Sequence, residues 1–240
     1  MNKPIVVMGV DPGFASMGVA ILEVPEPDSP VCARMVRVVE TKKASKETLR
    51  QIRVASDDQR RLFEFWGALQ DIVIRYRPLV LGVEQWRPFP GQMGGNAWKV
   101  GSAVQVVHCL SWQHGLPSFP FIPNDLKRRF LGQKSGDKNQ VGYAVLQHIL
   151  GLAPLLSTIS PSKHEHVYDA AGLAYLALEE WRRQTGVVDN AQRSKTKRCA
   201  GARSSSDCGV NSAGCDDDSR GGGGRVRQRT GIRSSAKCTG

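Results

Sequence analysis

The stretch IVVMGVDPGFASMGVAILEV, residues 5–24, constrains the fold more than any other part of the chain. An apolar strand runs straight into an aspartate, turns on Pro12 and Gly13, and a second apolar strand follows at once. Residues 4–10 and 17–24 therefore read as an antiparallel pair joined by the Asp11-Pro12-Gly13 turn. A carboxylate at the mouth of a buried strand is costly unless something compensates it. A satisfied turn residue would do so, and so would a bound cation. Taken alone, Asp11 leaves both readings open.

The rest of the chain extends this start into layers. Residues 31–39, VCARMVRVV, read as a third strand and complete an antiparallel meander. Residues 40–55 are polar and basic and read as a loop. Ser56-Asp57-Asp58 is a helix-start signal, and Leu62, Phe65, Trp66, Leu69, Ile72, Val73 and Tyr76 recur at steps of three and four. They predict a helix with one apolar face, stopped by Pro78. LVLGVEQ, 79–85, reads as a short buried strand with a glutamate at its exit. Residues 87–97 are rich in Gly and Pro and read as a loop, 98–114 as a helix ending at Gly115, and 118–122 as a fifth strand. The basic segment 124–138 leads into a helix over 139–150. The last helix spans 165–184 and turns Val167, Ala170, Ala171, Ala174, Leu178 and Trp181 to the core. Three strands followed by alternating helix and strand predict an α/β layer fold on a mixed sheet.

Charge narrows the partner. The 240 residues carry 33 Lys+Arg against 22 Asp+Glu, a net of +11 that favours a polyanion, nucleic acid before membrane. No apolar run approaches membrane-spanning length, and the short apolar N-terminal stretch carries an acid, unlike a signal peptide. A cytoplasmic protein is expected. From Gly186 onward, 11 Lys+Arg stand against 5 Asp+Glu, so +6 of the charge lies there. That stretch is Ser-, Gly- and Arg-rich with hardly any large apolar residues, and it is expected to be disordered. The expected organisation is a folded domain over 1–185 and a low-complexity basic tail over 186–240. Four of the six cysteines (Cys199, Cys208, Cys215 and Cys238) lie in the tail without a C-x-x-C pair or a histidine, so a zinc site is not expected.

The acids at element ends carry the chemistry. Asp11 ends the first strand and Glu84 the fourth, while His166 and Asp169 stand three apart on the last helix and share a face. In an open α/β sheet, neighbouring strand ends and a facing helix can converge. Three carboxylates and an imidazole in one cleft need a counter-charge, and hard divalent cations such as magnesium prefer carboxylate oxygen. Each residue also has an ordinary reading: an Asx turn for Asp11, a loop-facing carboxylate for Glu84, a surface pair for Asp169, a solvated ring for His166.

GVDPGFASMGVAI, LVLGVEQ, NDLKRRFLGQKSGDKNQV and HVYDAAGLAYLAL follow in this order. Together they resemble the four motifs of RuvC-type Holliday junction resolvases of the RNase H-like superfamily, over residues 4–182. Asp169 matches the family's last carboxylate, and His166 a position where members carry Asp or His. Lys127 and Lys138 match its two lysines. The resemblance implies an RNase H-like five-stranded mixed sheet, three antiparallel strands and then parallel ones, flanked by helices. It implies a homodimeric, metal-dependent endonuclease that resolves four-way junctions or related branched DNA by paired nicks. Asp11, Glu84, His166 and Asp169 would hold two Mg²⁺ ions, with Mn²⁺ able to substitute. Lys127, Arg128 and Lys138 would contact phosphate, and Lys138 would also stabilise transition-state charge.

The chain departs from the family after Glu84. QWRPFPGQMGGNAWKVGSAVQVV lacks the usual run, and either Trp86 or Phe89 is the candidate for stacking on a splayed base, with plain packing as the other reading of both. The helix after KVG, which would carry the dimer interface, departs as well. Two rival functions remain. An actin-like ATPase or sugar kinase also opens on a strand–Asp–x–Gly hairpin, but the chain is short for two such domains and has no second Gly-rich phosphate loop. A non-catalytic branched-DNA binder would share the fold, and the full set of acids argues against it.

Overall fold

The computed structural model describes residues 3–26, 29–51, 54–85 and 97–186, the side chains of 49–55 excepted. Strands β1 (Ile5–Asp11), β2 (Ser16–Val24) and β3 (Cys32–Glu40) form the expected meander. Helices α1 (Lys46–Gln51) and α2 (Val54–Tyr76) lead to β4 (Val80–Glu84), which pairs parallel to β1. Helix α3 (Ala97–Gln113) leads to β5 (Ser118–Phe121), parallel to β4. Helices α4 (Pro123–Leu131), α5 (Lys138–His148), α6 (Leu152–Leu156) and α7 (His164–Thr185) complete the domain. The sheet order is β3-β2-β1-β4-β5, the five-stranded mixed sheet that the sequence predicts.

Side chains alternate across a strand, so each strand feeds two cores. Met8, Val10, Met17, Val19 and Ile21 pack with Phe65 and Leu69 of α2 on one face. Val7, Ala20, Leu22 and Val80 pack with α7 and the helices around it on the other. The same alternation puts Gly9 and Asp11, Gly18, and Gly82 and Glu84 on the α7 face.

Those glycines let the helix lie directly on the sheet. A Cβ at Gly18 would collide with the backbone oxygen of His166, one at Gly9 with that of Ala170, and one at Gly82 with that of Leu173. Gly9 faces Gly82 across β1 and β4, and Gly18 faces Asp11 across β1 and β2. The three glycines thus form a row over which α7 descends from its first turn to its middle. Fully buried Ala170, Ala174 and Ala177 keep the helix side equally thin.

Three local expectations are corrected. Residues 40–55 are not all loop, since α1 occupies Lys46–Gln51 and α2 already begins at Val54. Asp57 and Asp58 therefore do not start the helix. Both are buried in its first turns and paired, Asp57 with Arg60 at 2.7 Å and Asp58 with Lys99 at 3.2 Å. The basic segment after β5 forms α4, whose Asp125 carboxylate accepts the Ile122 backbone N–H at 2.9 Å. Its charged face hid a narrow apolar one, of which Leu126 and Phe130 are buried. The expected disorder of the tail falls, from residue 187 onward, outside the described residues. Among the described residues no helix is long and apolar enough to cross a membrane.

Gly9→Ala forces apart two backbones that nothing flexible separates. Overpacking of this kind costs about 3 kcal/mol, and chemical denaturation of the variant is expected to show a loss of that order.

Candidate active site

Strand β1 delivers Asp11 and β4 delivers Glu84 to the same end of neighbouring strands and to the same face. Helix α7 crosses that face and adds His166 and Asp169. His166 sits over Gly18, the partner of Asp11, so its ring falls beside the aspartate: Nδ1 lies 2.7 Å from Asp11 Oδ2. Asp11, Glu84, His166 and Asp169 line one cleft of about 370 Å³ together with Lys127 and Lys138. The sequence-predicted core of the site is thus assembled from residues up to 158 positions apart (Asp11 to Asp169).

The acids crowd one another. Burial, reinforced by the charges of Asp11 and Asp169 and a hydrogen bond with Asp11, pushes the Glu84 carboxyl up to about 8. Burial, with the charge of Asp11 next, pushes Asp169 to about 7. The hydrogen bond to Asp11 raises His166 above the ordinary imidazole range. Such a centre lacks positive charge.

Two lysines supply part of it. Lys127 comes from the middle of α4. Lys138 is the first residue of α5, at a start where Gln140 Oε1 accepts the Asp137 N–H at 3.2 Å. Its ammonium lies 3.2 Å from Glu165 Oε2, and that hydrogen bond is the main reason its pKa is raised. Glu165, a further acid lining the cleft, was missed in the sequence although it stands four residues before Asp169 on the same helical face. Lys163 was missed too; it donates to Ser16 Oγ at 2.9 Å and pairs with Glu40 at 2.9 Å, fastening the start of α7 to the ends of β2 and β3.

Arg128 does not line the cleft. It is half exposed and lies 3.5 Å from Asp125 on its own helix. Trp86 and Phe89 lie outside the described residues.

A family model, Crossover junction endodeoxyribonuclease RuvC, matches residues 7–174. The chain belongs to the RuvC family. It is 27% identical to the RuvC of Carboxydothermus hydrogenoformans over 169 residues, 70% of this chain and 92% of that one. It is 26% identical to the RuvC of Corynebacterium diphtheriae over 188 residues, 78% of this chain and all of that one. The structure of Thermus thermophilus RuvC in complex with Holliday junction substrate superposes with a TM-score of 0.55 at 20% identity, covering 76% of this chain and 98% of that one. That likeness confirms the RNase H-like fold.

RuvC enzymes are divalent-metal nucleases, and the donor set here fits such an ion. Three carboxylates and one imidazole suit a hard cation, and burial together with neighbouring acid charge raises two of the carboxyls, as in a site short of counter-charge. Among the described residues no group of three or more His, Cys, Asp or Glu side chains is already closed around a metal position. The donors bond one another instead, Asp11 with both His166 and Glu84.

The sign of the pH dependence follows. A carboxyl raised from 4.5 to about 8 by the fold contributes stability in full below its unfolded pKa, and that contribution is lost as the pH rises toward 8. The metal-free protein is therefore expected to lose stability over this window. Mg²⁺ or Mn²⁺ competes with protons for the same oxygens, so it is expected to raise the melting temperature more at about pH 8 than at about pH 5.5. Melts with and without EDTA at the two pH values check this.

Proposed function

We propose that this protein is a structure-selective DNA endonuclease that resolves four-way junctions or related branched DNA. The observation that carries the reading is the convergence of Asp11, Glu84, His166 and Asp169 with Lys127 and Lys138 in one cleft. Mg²⁺, two ions per site with Mn²⁺ as a substitute, would supply Lewis-acid polarisation of the phosphodiester and a water nucleophile at neutral pH. Asp11, Glu84, His166 and Asp169 would hold that charge. Lys127 and Lys138 grip the phosphate from the wall that α4 and α5 provide, and Lys138 neutralises charge that builds on it during attack. Before DNA arrives, Glu165 occupies Lys138, so the phosphate displaces a carboxylate to reach it.

The nuclease is carried by residues 1–185, and the basic residues 186–240 lie outside it. A homodimer would present two such clefts to opposed strands. An exposed apolar face on α2 and α3 supports that pairing: Leu62, Trp66, Trp98 and Val106 line a groove of about 600 Å³, and Phe63 and Trp112 are 75% and 86% exposed.

Asp11→Asn removes the acid that touches both neighbours. Cutting of a synthetic four-way junction in Mg²⁺ is expected to fall by about a thousandfold or more, with junction binding in EDTA retained. Undiminished cutting would overturn the assignment. Glu165→Gln frees Lys138 from an exposed pair worth ~0.2–1 kcal/mol. Junction affinity in EDTA is expected to tighten by up to about fivefold, measured by fluorescence anisotropy at low salt.

A further inference from the structure

Strands β1, β3, β4 and β5 all run in one direction, so the chain leaves each of them at the end of the sheet that carries Asp11 and Glu84. The chain leaving β5, at one edge, becomes α4 and brings Lys127 to the cleft. The chain leaving β3, at the other edge, is Thr41-Lys42-Lys43-Ala44-Ser45-Lys46. Lys42, Lys43 and Lys46 are all exposed, and among the described residues none of them is in an ion pair.

This lysine segment is braced from beneath. The Thr41 N–H donates to Ala15 O at 3.1 Å and its hydroxyl to Phe14 O at 3.1 Å, in the hairpin that follows Asp11. Arg61 donates to Thr41 Oγ1 at 3.0 Å and to Phe14 O at 3.1 Å, and its guanidinium lies 4.3 Å above the Phe14 ring. Asp57 accepts the Ala44 N–H at 3.2 Å, and Arg60, bonded to Asp57, donates to Lys42 O at 2.7 Å. Asp57 and Arg61 are 1% and 7% exposed. Taking such charges out of water is expensive. Asp57 is paired with Arg60 at 2.7 Å and Arg61 lies 3.8 Å from Asp58, and their remaining bonds go to Thr41, the Ala44 N–H and the Phe14 carbonyl. The result is a lysine-bearing segment whose backbone at 41–44 is pinned at the end of the sheet that carries Asp11 and Glu84. Glu40, which precedes it, pairs with Lys163 one turn before His166.

We propose that Lys42, Lys43 and Lys46 form a second DNA-backbone contact, holding a duplex arm of the branched substrate on the β3 side of the acid centre. Lys127 and Lys138 hold it on the β5 side. The inference rests on the nuclease reading above. An acid cleft repels a polyanion, so phosphate contacts on both flanks are what bring a scissile bond into its middle.

Salt dependence tests this. The full chain is titrated with a fluorescent four-way junction in EDTA at several salt concentrations. Every lysine that neutralises a phosphate adds about 0.9 to the steepness of the log–log plot of affinity against salt. The triple variant Lys42→Ala, Lys43→Ala, Lys46→Ala is expected to flatten the slope by about 2–3 with an unchanged melting temperature. The triple Lys→Arg variant is expected to restore it. A charge-matched control at the opposite end of the sheet, Lys3→Ala, Arg75→Ala, Arg77→Ala, is expected to change the slope by well under about 1. An unaltered slope in the 42/43/46 variant, or an equal drop in the control, overturns the proposal while leaving the nuclease reading intact. Failure of the unaltered protein to bind or cut junctions removes both.

Discussion

Everything in this molecule depends on the direct approach of α7 to the sheet. Gly18, Gly9 and Gly82 remove the side-chain layer that ordinarily separates a helix from a sheet, and the carbonyls of His166, Ala170 and Leu173 fill the space. At ordinary separation His166 would not come within 2.7 Å of Asp11. The acid centre is thus a consequence of packing. Asp11 stands two residues beyond Gly9 and Glu84 two beyond Gly82, so each strand contributes a spacer and a ligand to the same face.

That closeness carries an electrostatic cost, which the molecule leaves unmet internally. Burial and mutual repulsion hold Glu84 and Asp169 far above the ordinary carboxylate range. Lys138 is near enough to lower both, yet it is shared with Glu165. A site so arranged is stabilised by a divalent cation and receptive to a phosphate at its edge. The buried charges on the other side of the sheet differ in kind. Buried Asp57 pairs with the exposed Arg60 and buried Arg61 lies 3.8 Å from Asp58, and all of Asp57, Arg60 and Arg61 bond the backbone around them, so their charge serves to hold a loop still.

Positive charge is accordingly placed by topology. The two outer strands β3 and β5 exit at the end that carries Asp11 and Glu84 and release the chain into lysine-bearing segments, one a braced loop and the other a helix. Asp11 and Glu84 come from β1 and β4, two of the three strands between, and Asp169 from α7 above them.

Sequence by itself determined the strands and most helices, because alternation and helical periodicity are local and each element buries a recognisable face. It also singled out Asp11 and Glu84, because a charge at the end of an apolar run is conspicuous, and His166 and Asp169, because they stand three apart on one face of the last helix. It misplaced what depends on distant partners. Asp57 and Asp58 looked like a helix start, since nothing near them in the chain announces that Lys99 and the 41–44 backbone would bury them. The segment that became α4 looked merely basic, since its narrow apolar face shows only against α7. Glu165 stayed hidden because its meaning lies in Lys138, 27 residues away. Which carboxylate meets which cation was decided by the tertiary structure, because the glycine row sets the height and phase of α7 over the sheet and no single segment encodes either.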